Sequence, residues 1–135
     1  MSTINKIRYD NQDYDLLGYE EYSTDETIIG IYKGKPLYRK VVEFTNLTLN
    51  TGVAHNITNI DKIIKADIIL DEGGYFKPLP VLYQDNGTIN SRFCISLYGI
   101  TSTQFHISAG SYYTEHSSTF KYTLIAEYTK TTDNE

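Results

Sequence analysis

Residues 22–40 read YSTDETIIGIYKGKPLYRK, and this stretch predicts an antiparallel β-hairpin. Thr27 to Tyr32 is a run of β-branched and aromatic residues, which favour strands. Lys33-Gly34-Lys35 is a short loop centred on a glycine, and a second strand continues from Leu37. Pro36 stands at the first position of that strand, where its missing N–H does least harm. This part of the chain therefore indicates a β fold.

Turn signals continue toward the C-terminus. Asp71-Glu72-Gly73-Gly74 predicts a tight turn, and Asn86-Gly87 predicts a two-residue hairpin between strands ending near Tyr83 and starting near Ile89. Short strands separated by turns about every 8–12 residues predict an all-β fold, an antiparallel, jelly-roll-like β-sandwich. Residues 119–129 have the clearest alternation of apolar and polar side chains. The predicted core is Phe93, Ile95, Leu97, Phe120, Leu124 and Ala126.

The length of 135 residues favours one main domain. We expect residues 1–20 to form a short N-terminal arm or hairpin and residues 21–135 to form the sandwich head. The apolar residues of the arm are too few for a core of their own, so they must pack on the head or on a neighbouring subunit: Ile4, Ile7, Leu16 and Leu17. The sequence predicts a single helical or 3₁₀ turn at residues 59–62 and a polar loop at residues 109–118.

Composition argues against several classes of partner. The net charge of −5 disfavours a nucleic-acid backbone or an anionic membrane surface, since both attract clustered basic residues. No stretch approaches the roughly 20 apolar residues that span a bilayer. The single cysteine allows no intramolecular disulfide, and the first residues lack the apolar region of a signal peptide. These features are typical of a protein made in the cytoplasm.

Residues that often carry chemistry lack catalytic spacing in this chain. Asp71 and Glu72 are adjacent, so a strand would point them to opposite faces rather than into one cleft. The possible metal ligands show no paired spacing: His55, Cys94, His106 and His116. Cys94 is predicted in mid-strand, where cysteines are usually inert. We therefore expect no enzymatic activity, no metal and no cofactor.

Aromatic residues in the predicted turns and loops are the candidates for ligand binding. Sugar rings stack on aromatic faces, while carboxylate and amide groups bind their hydroxyls. The alternative is that the same tyrosines pack on a neighbouring subunit, and the sequence leaves both open. The candidate site residues are Tyr75, Phe76, Tyr83, Asp85, Asn86, Tyr112, Tyr113 and His116.

Two stretches carry a family resemblance. YSTDE and GKPLYRK within residues 22–40, together with YTLIAEYTKTTD at residues 122–133, resemble signatures of tail-fibre and receptor-binding proteins of tailed bacteriophages and prophages. The resemblance implies a β-sandwich head located in the virion tail after synthesis in the cytoplasm of the host bacterium. It also implies non-enzymatic adhesion to host surface glycan, with other tail proteins as partners.

We expect a homotrimer. The arm and the half-apolar strand faces suggest a closed assembly, and the resemblance selects three copies, because tail fibres have threefold symmetry. The alternative function is a purely structural trimer that joins or caps a fibre without touching a receptor.

Overall fold

The computed structural model describes residues 6–15, 22–47 and 52–133. These residues form twelve β-strands, one α-helix and one short 3₁₀ helix. The helix α1 is Ser111–Glu115, and the 3₁₀ turn is Ser91–Phe93. The strands are β1 (Lys6–Tyr9), β2 (Gln12–Asp15), β3 (Thr27–Tyr32), β4 (Lys35–Phe44), β5 (Gly52–Ala54), β6 (Ile60–Glu72), β7 (Tyr75–Pro78), β8 (Gln84–Asp85), β9 (Thr88–Ile89), β10 (Ile95–Ile100), β11 (Gln104–Ala109) and β12 (Lys121–Lys130).

Two antiparallel sheets make up most of the fold. The large sheet has the strand order β3-β4-β12-β6-β7, and the small sheet has the order β10-β11-β5. The pairs β1-β2 and β8-β9 are separate two-stranded hairpins. The prediction of an all-β, antiparallel fold is confirmed. Its finer description as a jelly-roll-like sandwich, and the division into arm and head, stay predictions.

Side chains from both sheets meet in one hydrophobic cluster. Leu70 and Leu124 enter it from the large sheet, and Phe105 and Ile107 enter it from the small sheet. The ring of Phe44 packs edge-on against that of Phe105, with centroids 5.1 Å apart. Burial of this apolar surface from both sheets contributes most of the free energy that holds the sheets together.

The predicted core is largely confirmed. Ile95, Phe120, Leu124 and Ala126 are buried. Leu97 is half-buried but packs against the main cluster. Phe93 is also only half-buried, since it lies in the 3₁₀ turn rather than in a strand.

Three predicted turns are present as two-residue hairpin loops. Tyr32 pairs with Lys35, so the first loop is Lys33-Gly34, one residue shorter than predicted. Asp85 pairs with Thr88 across Asn86-Gly87, and Glu72 pairs with Tyr75 across Gly73-Gly74. Asn86 and Gly87 have φ values of 50° and 78°, the positive angles that such turns require.

Three local predictions are wrong. Residues 60–62 begin strand β6 instead of forming a helical turn, because they pair with the end of β12. Residues 91–93 form the 3₁₀ turn, since the Asn90 side chain accepts a hydrogen bond from the Arg92 amide and caps it. Residues 109–118 contain α1 rather than only a polar loop.

The N-terminal hairpin is present as β1 and β2, which pair around Asp10-Asn11. Both turn residues have positive φ angles, of 50° and 62°. The predicted apolar contacts of the arm involve Ile4, Leu16 and Leu17, which lie outside the described residues. Those contacts stay a prediction.

Candidate functional site

Four rings from three segments form an aromatic cluster at the surface, made of Tyr83, Phe93, Tyr112 and His116. Neighbouring ring centroids lie 5.2 Å apart for Tyr83 and Phe93, 5.1 Å for Phe93 and Tyr112, and 4.7 Å for Tyr112 and His116. Tyr83 and His116 are exposed, and the two middle rings are half-buried. The cluster therefore presents aromatic surface to solvent at both ends.

The base of the cluster is fixed by the hydrophobic core. The His116 ring stacks on Phe120, which is buried, with centroids 5.3 Å apart. His116 Nδ1 also lies 2.8 Å from the backbone carbonyl oxygen of Tyr112, one helical turn earlier. These contacts hold the imidazole in one orientation, so the exposed end of the cluster is preorganised.

Backbone contacts press the 3₁₀ turn against the start of α1. The amide of Gly110 donates to the Cys94 carbonyl at 2.8 Å. A Cβ atom at Gly110 would meet the Ser91 carbonyl oxygen at 2.1 Å, so only glycine permits this approach. The Tyr113 hydroxyl donates to the Phe93 carbonyl at 2.8 Å and so ties the 3₁₀ turn to α1.

An open cleft of about 620 Å³ lies beside the aromatic cluster. It is lined by residues 80–82, 90–92, 94–96 and 108–111, the segments that continue into the rings of the cluster. Serine side chains and Arg92 supply polar groups to this lining. Arg92 pairs with Glu115 at 2.8 Å, and about half of each side chain is exposed. The cleft thus combines apolar walls with accessible hydrogen-bonding groups, as small-molecule sites do.

Tyr113 is buried rather than exposed in a loop, so the structure does not bring it to the surface with the other candidate residues. It is 1% exposed and belongs to the main hydrophobic cluster. Burial, with a contribution from the charge of Glu72, raises the pKa of its hydroxyl to about 12. Of the two adjacent tyrosines in the short helix, Tyr112 is half-buried and Tyr113 is the one turned into the core.

The remaining predicted residues are exposed but fall into separate groups. Asp85 and Asn86 lie in the β8–β9 hairpin that begins directly after Tyr83. Tyr75 and Phe76 follow the β6–β7 turn and are 67% and 65% exposed. Neither ring joins the aromatic cluster. Instead, the Lys77 ammonium nitrogen lies over the Tyr75 ring, 5.6 Å from the ring centroid.

The two carboxylates considered for catalysis have structural contacts. Asp71 accepts a hydrogen bond from the Gly74 amide at 2.6 Å, and Glu72 pairs with Lys77 at 3.0 Å. Cys94 lies at the end of the 3₁₀ turn rather than in mid-strand. Among residues 6–15, 22–47 and 52–133, no three His, Cys, Asp or Glu side chains come together as a metal site would require.

Phe93 and Arg92 are the site residues that sequence reasoning missed. Phe93 was predicted to lie in the core, and Arg92 was not among the candidate site residues. The available signal was Asn90, because asparagine before a short polar stretch often caps a helical turn. Glu115 was missed as the partner of Arg92, since no local pattern connects residues so far apart in the sequence.

Comparisons of the chain with family models, with curated proteins and with solved structures find no match. Within the described part of the chain, no helix is long and apolar enough to cross a membrane.

Proposed function

We propose that this chain is the receptor-binding head of a bacteriophage or prophage tail fibre or baseplate. In this proposal the head is non-enzymatic and adheres to glycan on the host cell surface. The resemblance of residues 22–40 and 122–133 to such heads supports the class of protein. The aromatic cluster beside the open cleft is the single observation that supports the glycan as ligand.

The chemistry of the cluster suits a sugar. The C–H faces of a pyranose ring pack on aromatic faces, and Tyr83 and His116 present such surface to solvent. Hydroxyl groups of the sugar find donors and acceptors in Arg92 and in the serines of the cleft. Asp85 and Asn86, in the exposed hairpin that begins directly after Tyr83, add a carboxylate and an amide.

Assembly into a particle would compensate for weak single sites. Linked copies convert later binding events into intramolecular ones, and this raises avidity by orders of magnitude. The proposed working unit is a homotrimer in the virion tail, with other tail proteins as partners. It is synthesised in the cytoplasm of the host bacterium and needs no cofactor.

A second candidate is a structural module that joins or caps a fibre without contacting a receptor. Exposed apolar side chains favour it, since surfaces of this kind often mark protein interfaces. Leu82 is 65% exposed and Ile89 is 55% exposed, and both lie in residues 82–89, the segment that contains the β8–β9 hairpin. Under this candidate, that segment contacts another tail protein instead of a sugar.

An array printed with bacterial surface glycans tests the choice between the two functions. The purified chain should bind at least one glycan, and Tyr83→Ala combined with His116→Ala should weaken binding by about tenfold or more. Tyr75→Ala is the control, because it removes a tyrosine that is more exposed than Tyr83 and lies outside the aromatic cluster. Binding that survives the double substitution would reject the aromatic cluster as the site. No binding to any glycan or host cell would favour the structural module.

A further inference from the structure

The outer face of the small sheet carries a second group of polar side chains around one exposed ring. The register between β10 and β11 shifts between Leu97 and Gly99, which leaves Tyr98 as the extra residue. Tyr98 is 82% exposed, the largest exposed fraction among the large apolar and aromatic side chains described. It borders a hollow of about 340 Å³ that His106 and Ser108 also line. β-Bulges commonly change the direction of a side chain in this way.

The strands beside His106 leave space around its imidazole. Gly99 pairs with His106 on one side and Gly52 on the other, so neither cross-strand neighbour has a side chain. A Cβ at Gly52 would meet Gln104 Oε1 at 2.3 Å and His106 Cε1 at 2.9 Å. The amide of Gln104 and the imidazole of His106 therefore lie together over Gly52, on the same face.

These polar groups are available to a ligand. In the described part of the chain, the Tyr98 hydroxyl, the Gln104 amide and the His106 ring nitrogens take part in no hydrogen bond of the structure. Residues 93–114, which include β10 and β11, contain no Asp, Glu, Lys or Arg. The face thus offers an aromatic platform with uncharged donors and acceptors, which suits a neutral sugar better than an acidic one.

The face continues into the cleft described above. Ser108 lines both the cleft and the hollow at Tyr98, and Ser96 pairs with it across the two strands. From Gln104 to Gly110 the floor extends about 20 Å, at roughly 3.4 Å per strand residue. That length exceeds one sugar ring and suits a chain of several.

We propose that the outer face of the small sheet is a second saccharide subsite, centred on Tyr98 with Gln104 and His106, which takes a neutral sugar unit. A glycan chain that starts at the aromatic cluster runs through the cleft along β11 and ends over Tyr98. This inference rests on the proposed function, since it extends the same glycan site.

The test uses the full chain and an array of neutral and acidic bacterial oligosaccharides of graded length. The wild-type chain should bind long neutral oligosaccharides about tenfold more tightly than short ones. Tyr98→Ala should reduce the affinity for long chains to that for short ones, whereas Tyr98→Phe should retain most of it. Gly52→Ala should give a smaller loss in the same direction, because it displaces Gln104 and His106. Tyr75→Ala should leave the length dependence unchanged, and thermal melts should confirm that every variant folds.

The possible failures are distinguishable. If the wild-type chain binds glycans and Tyr83→Ala weakens that binding, but Tyr98→Ala has no effect for oligosaccharides of any length, the second subsite is overturned and the proposed function stands. If Tyr98→Ala changes the solution mass and leaves glycan binding intact, the face is an interface between copies, which also overturns the subsite. If the wild-type chain binds no oligosaccharide, the proposed function fails and the subsite fails with it.

Discussion

His55 connects two parts of the fold through its two ring nitrogens. It is 1% exposed, and its Nδ1 accepts a hydrogen bond from the Ile57 amide at 3.0 Å. The proton is therefore on Nε2, which donates to the Thr101 carbonyl at 2.9 Å. One imidazole thus ties the β10–β11 connection to the segment that enters the second hydrophobic cluster, around Tyr128.

We expect His55→Ala to destabilise the protein by about 2–4 kcal/mol, because it leaves one amide and one carbonyl without partners. Urea denaturation measures the change as a shift in midpoint. His106→Ala is the control, since the His106 imidazole makes no hydrogen bond in the described structure, and it should stay within about 0.5 kcal/mol of wild type. Equal midpoints for the two variants would show that the imidazole bridge adds nothing.

Buried tyrosines make stability sensitive to alkaline pH. Burial raises the pKa of Tyr113 from 10.0 to about 12, and it raises the pKa values of Tyr122 and Tyr128 as well. The folded-state pKa thus lies above the unfolded one, so the unfolded chain loses its proton first. The resulting stability is complete below about pH 10 and declines as pH rises toward about 12.

The free energy of unfolding should therefore fall steeply between about pH 10 and about pH 12. Urea midpoints at successive pH values test this, together with the ultraviolet absorbance of tyrosinate. Tyr113→Phe should show a shallower slope in this range. If all thirteen tyrosines ionise near pH 10 while the chain stays folded, the rings are not buried as described.

At the level of elements, Gly110 decides how closely the 3₁₀ turn and α1 approach. Its missing side chain leaves room for the carbonyl oxygens of Ser91 and Arg92, which a Cβ would meet at 2.1 Å and 2.2 Å. Both contacts are with backbone atoms, so no side-chain rotation can relieve them. Phe93 and Tyr112 are carried by the two elements that would be forced apart.

Gly110→Ala should destabilise the fold by about 1–3 kcal/mol, as overpacking does. It should also reduce the near-ultraviolet circular dichroism of the aromatic cluster. The matched control is Gly30→Ala in β3, where a Cβ would have no atom within 4 Å. That variant should keep wild-type stability or gain slightly. A Gly110→Ala protein with an unchanged melt and spectrum would contradict the close approach.

Sequence patterns predicted the elements with strong local signals. The Asn86-Gly87 hairpin and the alternation of β12 follow from backbone preference and from burial of one strand face, both readable over a few residues. The start of β6 was missed because Ile63 and Ile64 are adjacent where its pairing with β12 shifts register, so alternation breaks. α1 was missed because five residues are too few for a helical apolar period.

The candidate site was only partly predictable for a related reason. Tyr83, Tyr112 and His116 were chosen as exposed turn and loop aromatics, and the structure brings them together. Their connection runs through Phe93, whose position depends on the capped 3₁₀ turn and on the space at Gly110. The outward display of Tyr98 depends on the bulge at this residue, and therefore on strand pairing that no short window of sequence contains.

At the scale of the whole molecule, we predict a homotrimer. Light scattering or sedimentation of the full chain should give about three times 15.5 kDa. Removal of residues 1–20 should weaken the association, because the arm has apolar residues and no core of its own. A monomer at micromolar concentration would contradict the trimer and the avidity argument that depends on it.

The central position of β12 has a consequence for synthesis. β12 pairs with β4 on one side and with β6 on the other, and it follows both in the sequence. A ribosome therefore releases two separate hairpins, β3-β4 and β6-β7, before the strand that joins them. Until residues 121–130 emerge, β4 and β6 each offer an unpaired edge to other nascent chains. Aggregation of nascent chains should thus be most severe when ribosomes stall before β12 has emerged.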